Sequence, residues 1–233
     1  MEISLSGMLV VSMSGMFSFS QFNGDISSWN VSNVRNMSYM FNYSQFNGDI
    51  SNWDVSGVVN MEGMFNGSKF KGDISKWDVS GVKNMSWMFR DSRFNGNISD
   101  WNVSEVDNMR NMFCESLFNG NISNWDVSGV KNMECMFDDS QFNGDISNWD
   151  VRKVVDMQRM FAFSQFNGDI SNWDVSGVKN MKEMFLNLNL EVISLSGLRN
   201  RNKRNKRPRL VNFNLGFYFL LKLLFMKPLM ILL

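Results

Sequence analysis

The sequence predicts an α/β fold, a single elongated solenoid in which every 24-residue coil has one short strand and one helical turn. Two observations predict it. The dipeptide Met-Phe recurs every 24 residues from Met16-Phe17 to Met184-Phe185, and no insertion interrupts residues 13–185. Tryptophan recurs with the same period, at Trp29, Trp53, Trp77, Trp101, Trp125, Trp149 and Trp173. Repeats of roughly 20 to 50 residues indicate solenoids, propellers or arrays, in which each unit packs on its neighbours.

The helical turn is predicted from the spacing of apolar residues at the start of each unit. Met37, Met40 and Phe41 stand at positions i, i+3 and i+4, so one turn of helix would place all three on one face. The dipeptide Asn47-Gly48 follows, and Asn-Gly is a strong turn signal. We therefore expect the helical turn to end at this dipeptide.

The strand is predicted in the segment "DISNWDV" that comes next, at residues 49–55. It carries Ile50, Trp53 and Val55 in a β-prone context, although it is short for an ordinary strand. The predicted core consists of the seven repeated tryptophans together with Met40, Phe41, Phe46 and Ile50.

A single unit has too few apolar side chains to offset the entropy of ordering its residues, so stacking of units is required. Stacking would place identical residues in columns. The asparagine that closes each unit would then form a hydrogen-bonded ladder. This column contains Asn36, Asn60, Asn84, Asn108, Asn132, Asp156 and Asn180.

The formal net charge of zero conceals a strong asymmetry along the chain. Residues 1–198 contain 14 Lys and Arg against 23 Asp and Glu, a net charge of −9, and residues 199–233 contain nine basic residues and no acidic ones. An acidic body is unsuited to non-specific nucleic-acid binding. Residues 1–10 show no secretory signal, and the two cysteines, Cys114 and Cys135, are expected to be free thiols.

Residues 1–12 and 186–198 are interpreted as repeat remnants read in another frame. Both contain the pentapeptide Ile-Ser-Leu-Ser-Gly, at residues 3–7 and 193–197, out of step with the array. One DNA sequence that encodes residues 1–10 gives, in a shifted frame, Gly-Asp-Ile-Ser-Lys-Trp-Asp-Val-Ser, which is the sequence of residues 72–80. The chain is therefore, on one hypothesis, a fragment of a disrupted larger repeat gene with no independent function.

The tail, residues 199–233, is basic and then apolar, and we expect it to be disordered or membrane-associating. Residues 199–209 form a basic run, and residues 215–233 are apolar apart from Lys222, Lys227 and Pro228. This pattern is marginal for a spanning helix and also fits attachment to a membrane surface. A tail-anchored repeat protein is therefore an alternative, with a cytoplasmic or membrane-associated location.

No enzyme, cofactor or metal site is predicted. The chain has no histidine, no nucleophile beside a base and no phosphate-binding loop. Columns of aspartate, such as Asp49 and Asp73, raise the idea of Ca²⁺. Asparagine replaces aspartate at Asn97 and Asn121, however, and turn capping through backbone N–H groups accounts for both residue types.

The unit "MFNYSQFNGDISNWDVSGVVNM", residues 40–61, resembles the repeat of the BspA-like surface proteins, a family related to leucine-rich-repeat proteins. That repeat is abundant in mycoplasma lipoproteins and occurs in some other bacteria, protists and large DNA viruses. The resemblance covers residues 13–185. It implies a leucine-rich-repeat-like solenoid that acts in surface contact or protein binding.

The sequence is therefore interpreted as a non-enzymatic scaffold for an unidentified protein partner. In repeat proteins the contact surface is expected where residues vary while the core repeats. Two such columns follow the methionines, and aromatic residues beside acids suit protein contacts. Neutral drift on a solvated face is the alternative. The predicted protein-contact strip consists of Phe19, Tyr39, Tyr43, Trp87, Asp91, Glu115, Asp139 and Phe163.

Overall fold

The computed structural model describes residues 11–188, in which each 24-residue unit forms one coil and successive coils stack in parallel. Seven isolated parallel β-bridges join eight coils, from Ser12↔Asn36 to Asp156↔Asn180, always at the residue that closes a unit. Over residues 11–188 there is no helix, and pairing extends no further than these single bridging residues. The predicted α/β class, with a strand and a helical turn in every coil, is therefore wrong.

The predicted helical turn is replaced by β-turns. Tyr39 and Tyr43 have φ of 55° and 49°, in the left-handed region. The Met40 N–H donates to the Met37 carbonyl at 3.2 Å, and the Ser44 N–H donates to the Phe41 carbonyl at 3.1 Å. A positive φ at the third residue is typical of a type II turn. It also diverts the chain from the right-handed path that i to i−4 hydrogen bonds of a helix require.

Other N–H groups of this segment donate to backbone carbonyls of the next coil. Met37 donates to the Asn60 carbonyl at 2.9 Å, and Tyr39 donates to the Glu62 carbonyl at 2.7 Å. Turn bonds and bonds between coils thus alternate along the segment. This accounts for the backbone donors without a helix.

The predicted strand at residues 49–55 is a second turn. The Trp53 N–H donates to the Ile50 carbonyl at 3.2 Å, which closes a tight turn at residues 51–52. Coils are joined here by a side chain, because the Trp53 indole Nε1–H donates to the Ile26 carbonyl of the preceding coil at 3.1 Å. The same bond recurs for each later tryptophan up to Trp173.

The core is built from columns of identical side chains. Each of the predicted core residues, the seven tryptophans with Met40, Phe41, Phe46 and Ile50, is at most 8% exposed. The Phe41 ring stacks on Phe65 in the next coil, with ring centroids 5.7 Å apart, and on Phe46 of its own coil at 4.5 Å. Offset ring stacking of this kind adds to the free energy of apolar burial.

Glycine follows each Asn of the Asn-Gly dipeptides for a packing reason and makes no turn. Gly48 does not have positive φ, and a Cβ on it would lie 2.9 Å from the Phe46 ring. The glycine therefore makes room for the phenylalanine two residues earlier.

The predicted asparagine column forms a side-chain bond between coils at one step, from Asn180 Nδ2 to Asp156 Oδ2 at 3.1 Å, and the asparagine ladder runs along a different column. In the predicted column, the Asn60 Oδ1 caps a turn by accepting the Glu62 N–H at 3.0 Å. The ladder uses the asparagine before each glycine, whose Oδ1 accepts the N–H of the equivalent residue in the next coil. Its bonds, 2.7 to 2.8 Å long, link Asn23 to Asn47, Asn47 to Lys71, Asn95 to Asn119, Asn119 to Asn143 and Asn143 to Asn167.

No helix within residues 11–188 has the length and apolar character needed to cross a bilayer. The predictions for the tail, residues 199–233, and for most of both flanking remnants lie outside the described residues.

Candidate protein-contact surface

The predicted strip lies on two columns of backbone in the left-handed region, with φ between 49° and 65°. We call them the first and second left-handed columns. The first contains Gly15, Tyr39, Gly63, Trp87, Asn111, Cys135, Arg159 and Glu183. The second contains Phe19, Tyr43, Gly67, Asp91, Glu115, Asp139, Phe163 and Asn187. The eight strip residues thus fall in two parallel rows, four positions apart along the chain.

The second column is the outer row. Phe19, Tyr43 and Phe163 are 71%, 39% and 42% exposed. Asp91, Glu115 and Asp139 are exposed as well, whereas Tyr39 and Trp87 in the first column are half-buried. The second column is therefore the more solvent-accessible of the two.

Aromatic rings join the first three coils along this surface. Phe19 stacks on Tyr43, with ring centroids 5.3 Å apart. The Tyr43 ring continues over Gly67, where a Cβ would lie 2.4 Å from the ring. Two coils share this aromatic patch, and the glycine of the third provides the space for it.

Tyr39 makes the equivalent contact in the first column and adds a hydrogen bond. Its ring lies across Gly63, and its hydroxyl donates to Glu62 Oε1 at 2.6 Å. Burial, and then the hydrogen bond and charge of Glu62, raise the pKa of Tyr39 to about 12. Tyr39 is therefore a neutral donor at physiological pH.

Cations lie beside the aromatic residues of the later coils. The Arg90 guanidinium sits 4.8 Å from the Trp87 ring and pairs with Glu115 at 2.5 Å. Arg159 pairs with Asp138 at 2.7 Å and lies 5.5 Å from the Phe163 ring. Such contacts restrain the aromatic side chains.

Cys135 lies in the first left-handed column, Cys114 precedes Glu115 of the second, and both are protected thiols. Both are free; Cys114 is buried and Cys135 is half-buried. Burial raises the pKa of Cys114 to about 12 and that of Cys135 to about 11. The nucleophilic thiolate is therefore scarce at neutral pH.

The aspartate columns cap turns. Asp49 Oδ1 accepts the Ser51 N–H at 2.9 Å, and Asn97 Oδ1 accepts the Ser99 N–H at 3.0 Å in the same way. The backbone hydrogen bond from Ser51 lowers the pKa of Asp49, since it favours the charged form. No group of three or more His, Cys, Asp or Glu within residues 11–188 is arranged to hold a metal ion.

Sequence reasoning missed a groove of about 640 Å³ beside Gly67. Its lining includes Tyr43 and Leu117 on the apolar side, with Lys69, Lys71 and Arg93 as its cations. A signal was present, because these cations stand where most other units have glutamine or asparagine.

The family described as "Mycoplasma protein of unknown function, DUF285" matches residues 7–93 and again residues 92–193. No curated protein and no solved structure matches the chain. The family match supports a mycoplasma-type repeat, while the narrower resemblance to BspA-like proteins stays a prediction. The two matches together span most of the sequence, and the chain therefore belongs to the DUF285 family of Mycoplasma repeat proteins, whose function is unknown.

Proposed function

We propose that this chain is a non-enzymatic repeat scaffold that binds a protein partner through the two left-handed columns. The observation that carries the proposal is the presence of large side chains where the backbone favours glycine. Thirteen of the sixteen left-handed residues are not glycine, although Gly15, Gly63 and Gly67 show that glycine fits these columns.

These side chains come at an energetic cost. A left-handed φ costs an ordinary residue about 1–2 kcal/mol, and glycine escapes this cost. Aspartate and asparagine tolerate the conformation, but Phe19, Tyr43 and Phe163 belong to bulky types for which it is unusual. Residues held in sparsely populated backbone conformations cluster at ligand-binding sites, so these columns are candidates for one.

Burial within the chain does not repay that cost in the second column. Phe19 is 71% exposed even though it stacks on Tyr43. An aromatic ring of this size would contribute most when a partner covers it, and Tyr, Trp and Arg are enriched among the residues that dominate interface energies. The Phe19–Tyr43 patch and the Trp87–Arg90 pair are therefore the proposed anchors.

Site-specific photo-cross-linking tests the proposal. A photoreactive phenylalanine analogue replaces Phe19, Tyr43 or Phe163 in the full chain, and matched controls carry it at Asn52 or Asn148. The controls lie on exposed positions of the same stack, away from both left-handed columns. In extracts of the source cells, we expect one discrete adduct from the strip positions and none from the controls.

Glycine variants separate binding from folding. Phe19→Gly and Phe163→Gly remove the ring while easing the left-handed backbone, so the melting temperature should change little. We expect a chain with both glycine substitutions and the analogue at position 43 to give much less cross-linked adduct than a chain with the analogue alone. Equal cross-linking from strip and control positions, or an adduct unaffected by both glycine changes, would refute this role.

A further inference from the structure

The groove beside Gly67 is where the outer surface departs most from the repeat. Lys69 and Arg93 occupy a column that is glutamine at Gln21, Gln45, Gln141 and Gln165. Lys71 occupies the ladder column, which is asparagine in the six other units. Three cations thus replace neutral side chains in two successive coils, next to a left-handed position that is glycine.

Lys71 also removes one rung of the asparagine ladder. It receives a bond like the other members, because its N–H donates to Asn47 Oδ1 at 2.7 Å. Lysine has no side-chain acceptor to pass on, so the N–H of Asn95 in the next coil has no acceptor among the described residues. The ladder resumes at the following step, where Asn119 donates to Asn95 Oδ1 at 2.8 Å. One backbone donor, directed along the stack toward the coil of Lys71, is therefore left open, and Lys71 itself lines the groove.

The three cations are not neutralised within the described residues. Arg90, Arg110 and Arg159 pair with carboxylates on the same array, whereas Lys69, Lys71 and Arg93 form no ion pair with any residue of 11–188. All three are exposed. Arg35, Lys76, Lys153 and Lys179 likewise form no ion pair within residues 11–188, but none of these four lines the groove.

We propose that this groove binds a carboxylate on the protein partner, such as an aspartate or glutamate side chain with an apolar residue beside it. The carboxylate would accept the Asn95 N–H in place of the missing asparagine oxygen and pair with Lys71 and its neighbours. Charge-assisted hydrogen bonds of this kind are short and strong. The apolar residue would pack against Tyr43 or Leu117, which line the groove in different coils. This inference rests on the proposed function and specifies the partner's chemistry.

The composition of the groove favours a peptide over a phosphate-rich partner. Asp91 and Glu115 also line it, and Glu115 is held by Arg90. A nucleic acid or an anionic membrane presents negative charge over its whole surface and would meet these carboxylates and the acidic array around them. A peptide presents one carboxylate locally and leaves the other contacts neutral.

The test is an NMR titration of the full ¹⁵N-labelled chain with N-acetyl-Glu-Phe-amide. Its neutral counterpart, N-acetyl-Gln-Phe-amide, has the same shape without the charge, and the Asn95 amide signal is assigned through the Asn95→Asp variant. We expect the Asn95 amide proton to shift downfield in a saturable way with the acidic probe. The neutral probe should bind about tenfold more weakly or not at all, which corresponds to about 1.4 kcal/mol.

The key variant, Lys71→Asn, restores the repeat's own residue and with it the missing rung. It should weaken binding of the acidic probe at least tenfold without lowering the melting temperature, so unfolding cannot account for the loss. Lys76→Asn is the matched control, because it removes one exposed cation from the same coil and also introduces asparagine, which its column has at Asn52, Asn124, Asn148 and Asn172. It should leave the Asn95 response unchanged.

Several outcomes would overturn the inference: no shift at Asn95, equal shifts with both probes, or equal losses in Lys71→Asn and Lys76→Asn. A response of Asn95 to inorganic phosphate or to vesicles with anionic lipid, but not to the acidic probe, would assign the site to phosphate chemistry instead. If the titration fails while Phe19 and Phe163 still cross-link, only the carboxylate site is refuted. If the titration succeeds and cross-linking fails, the wider contact surface is refuted.

Discussion

The inward columns, whose side chains form the core, and the two left-handed columns lie in the same coils. The inward columns repeat one residue type, whereas the left-handed columns vary from coil to coil. The inward column that contains Phe41 is phenylalanine in every coil. Each ring packs between the equivalent rings of the coils above and below, as the Phe113 ring does between those of Phe89 and Phe137, with centroids 5.8 Å apart. The second left-handed column varies through aromatic, glycine and acidic residues. Close packing restricts the Phe41 column to one side-chain shape, whereas the solvent-exposed second left-handed column accommodates many. A residue type that recurs in every coil therefore indicates a packed position, whereas the variable columns are not restricted by packing.

The largest expected effect comes from breaking an inward column in the middle of the stack. Phe113→Ala removes a fully buried ring that contacts Phe89, Phe137, Phe118 and Trp125. We expect a loss of about 3–5 kcal/mol in the free energy of unfolding, because neighbouring coils cannot close the cavity. Urea unfolding followed by tryptophan fluorescence measures it.

Phe163→Gly is the matched change on the second left-handed column, because it also removes a phenylalanine ring. Its effect should be about 1 kcal/mol or less, since the ring is partly exposed and glycine suits the backbone. Similar losses in the two variants would show that the left-handed columns are part of the core.

An intermediate effect is expected within the second left-handed column itself. Gly67→Ala forces a Cβ onto a residue with φ of 62° and toward the Tyr43 ring, 2.4 Å away. The backbone alone should cost about 1–2 kcal/mol. A double-mutant cycle with Tyr43→Gly should recover at least about 0.5 kcal/mol, because the displaced ring is then absent. Strictly additive losses from Gly67→Ala and Tyr43→Gly would mean that the Tyr43 ring moves aside without an energetic penalty.

The smallest expected effect concerns the capping aspartates on the outer side. The Ser51 N–H lowers the pKa of Asp49, and the Arg152 side chain lowers that of Asp150 from 3.8 to about 2. Carboxylates with a depressed folded-state pKa stabilise the fold above about pH 4, and this contribution is lost as the pH falls through the folded pKa. We therefore expect the free energy of unfolding to decrease between about pH 4 and pH 2.

Asn97 supplies the control for that pH dependence. Asp49→Asn should keep the cap, as Asn97 does, and make the decrease between about pH 4 and pH 2 shallower. The reverse change, Asn97→Asp, should make it steeper. Identical pH profiles in both variants and the parent chain would rule out these caps as a source of acid sensitivity.

The helical turn could not be recognised as wrong from spacing alone. Met37, Met40 and Phe41 are all buried, as an i, i+3, i+4 pattern requires. Successive β-turns with left-handed third residues produce the same inward placement, and sequence spacing does not distinguish them from a helix. Glycine at three of the sixteen left-handed positions was the available signal, but Tyr, Trp and Phe at the others concealed it.

The period, the identity of the inward residues and the location of the two variable columns could all be predicted from the sequence, because they follow from repetition and hydrophobicity. The backbone conformation of these columns depends instead on contacts in the folded stack. The left-handed turns depend on N–H groups finding acceptors in the next coil, such as Tyr39 donating to the Glu62 carbonyl. The open donor at Asn95 likewise becomes visible only when coils are stacked, because the residue that lacks the acceptor, Lys71, is 24 positions away. Both the left-handed turns and the open Asn95 donor therefore result from contacts between coils, which cannot be read from a short stretch of sequence.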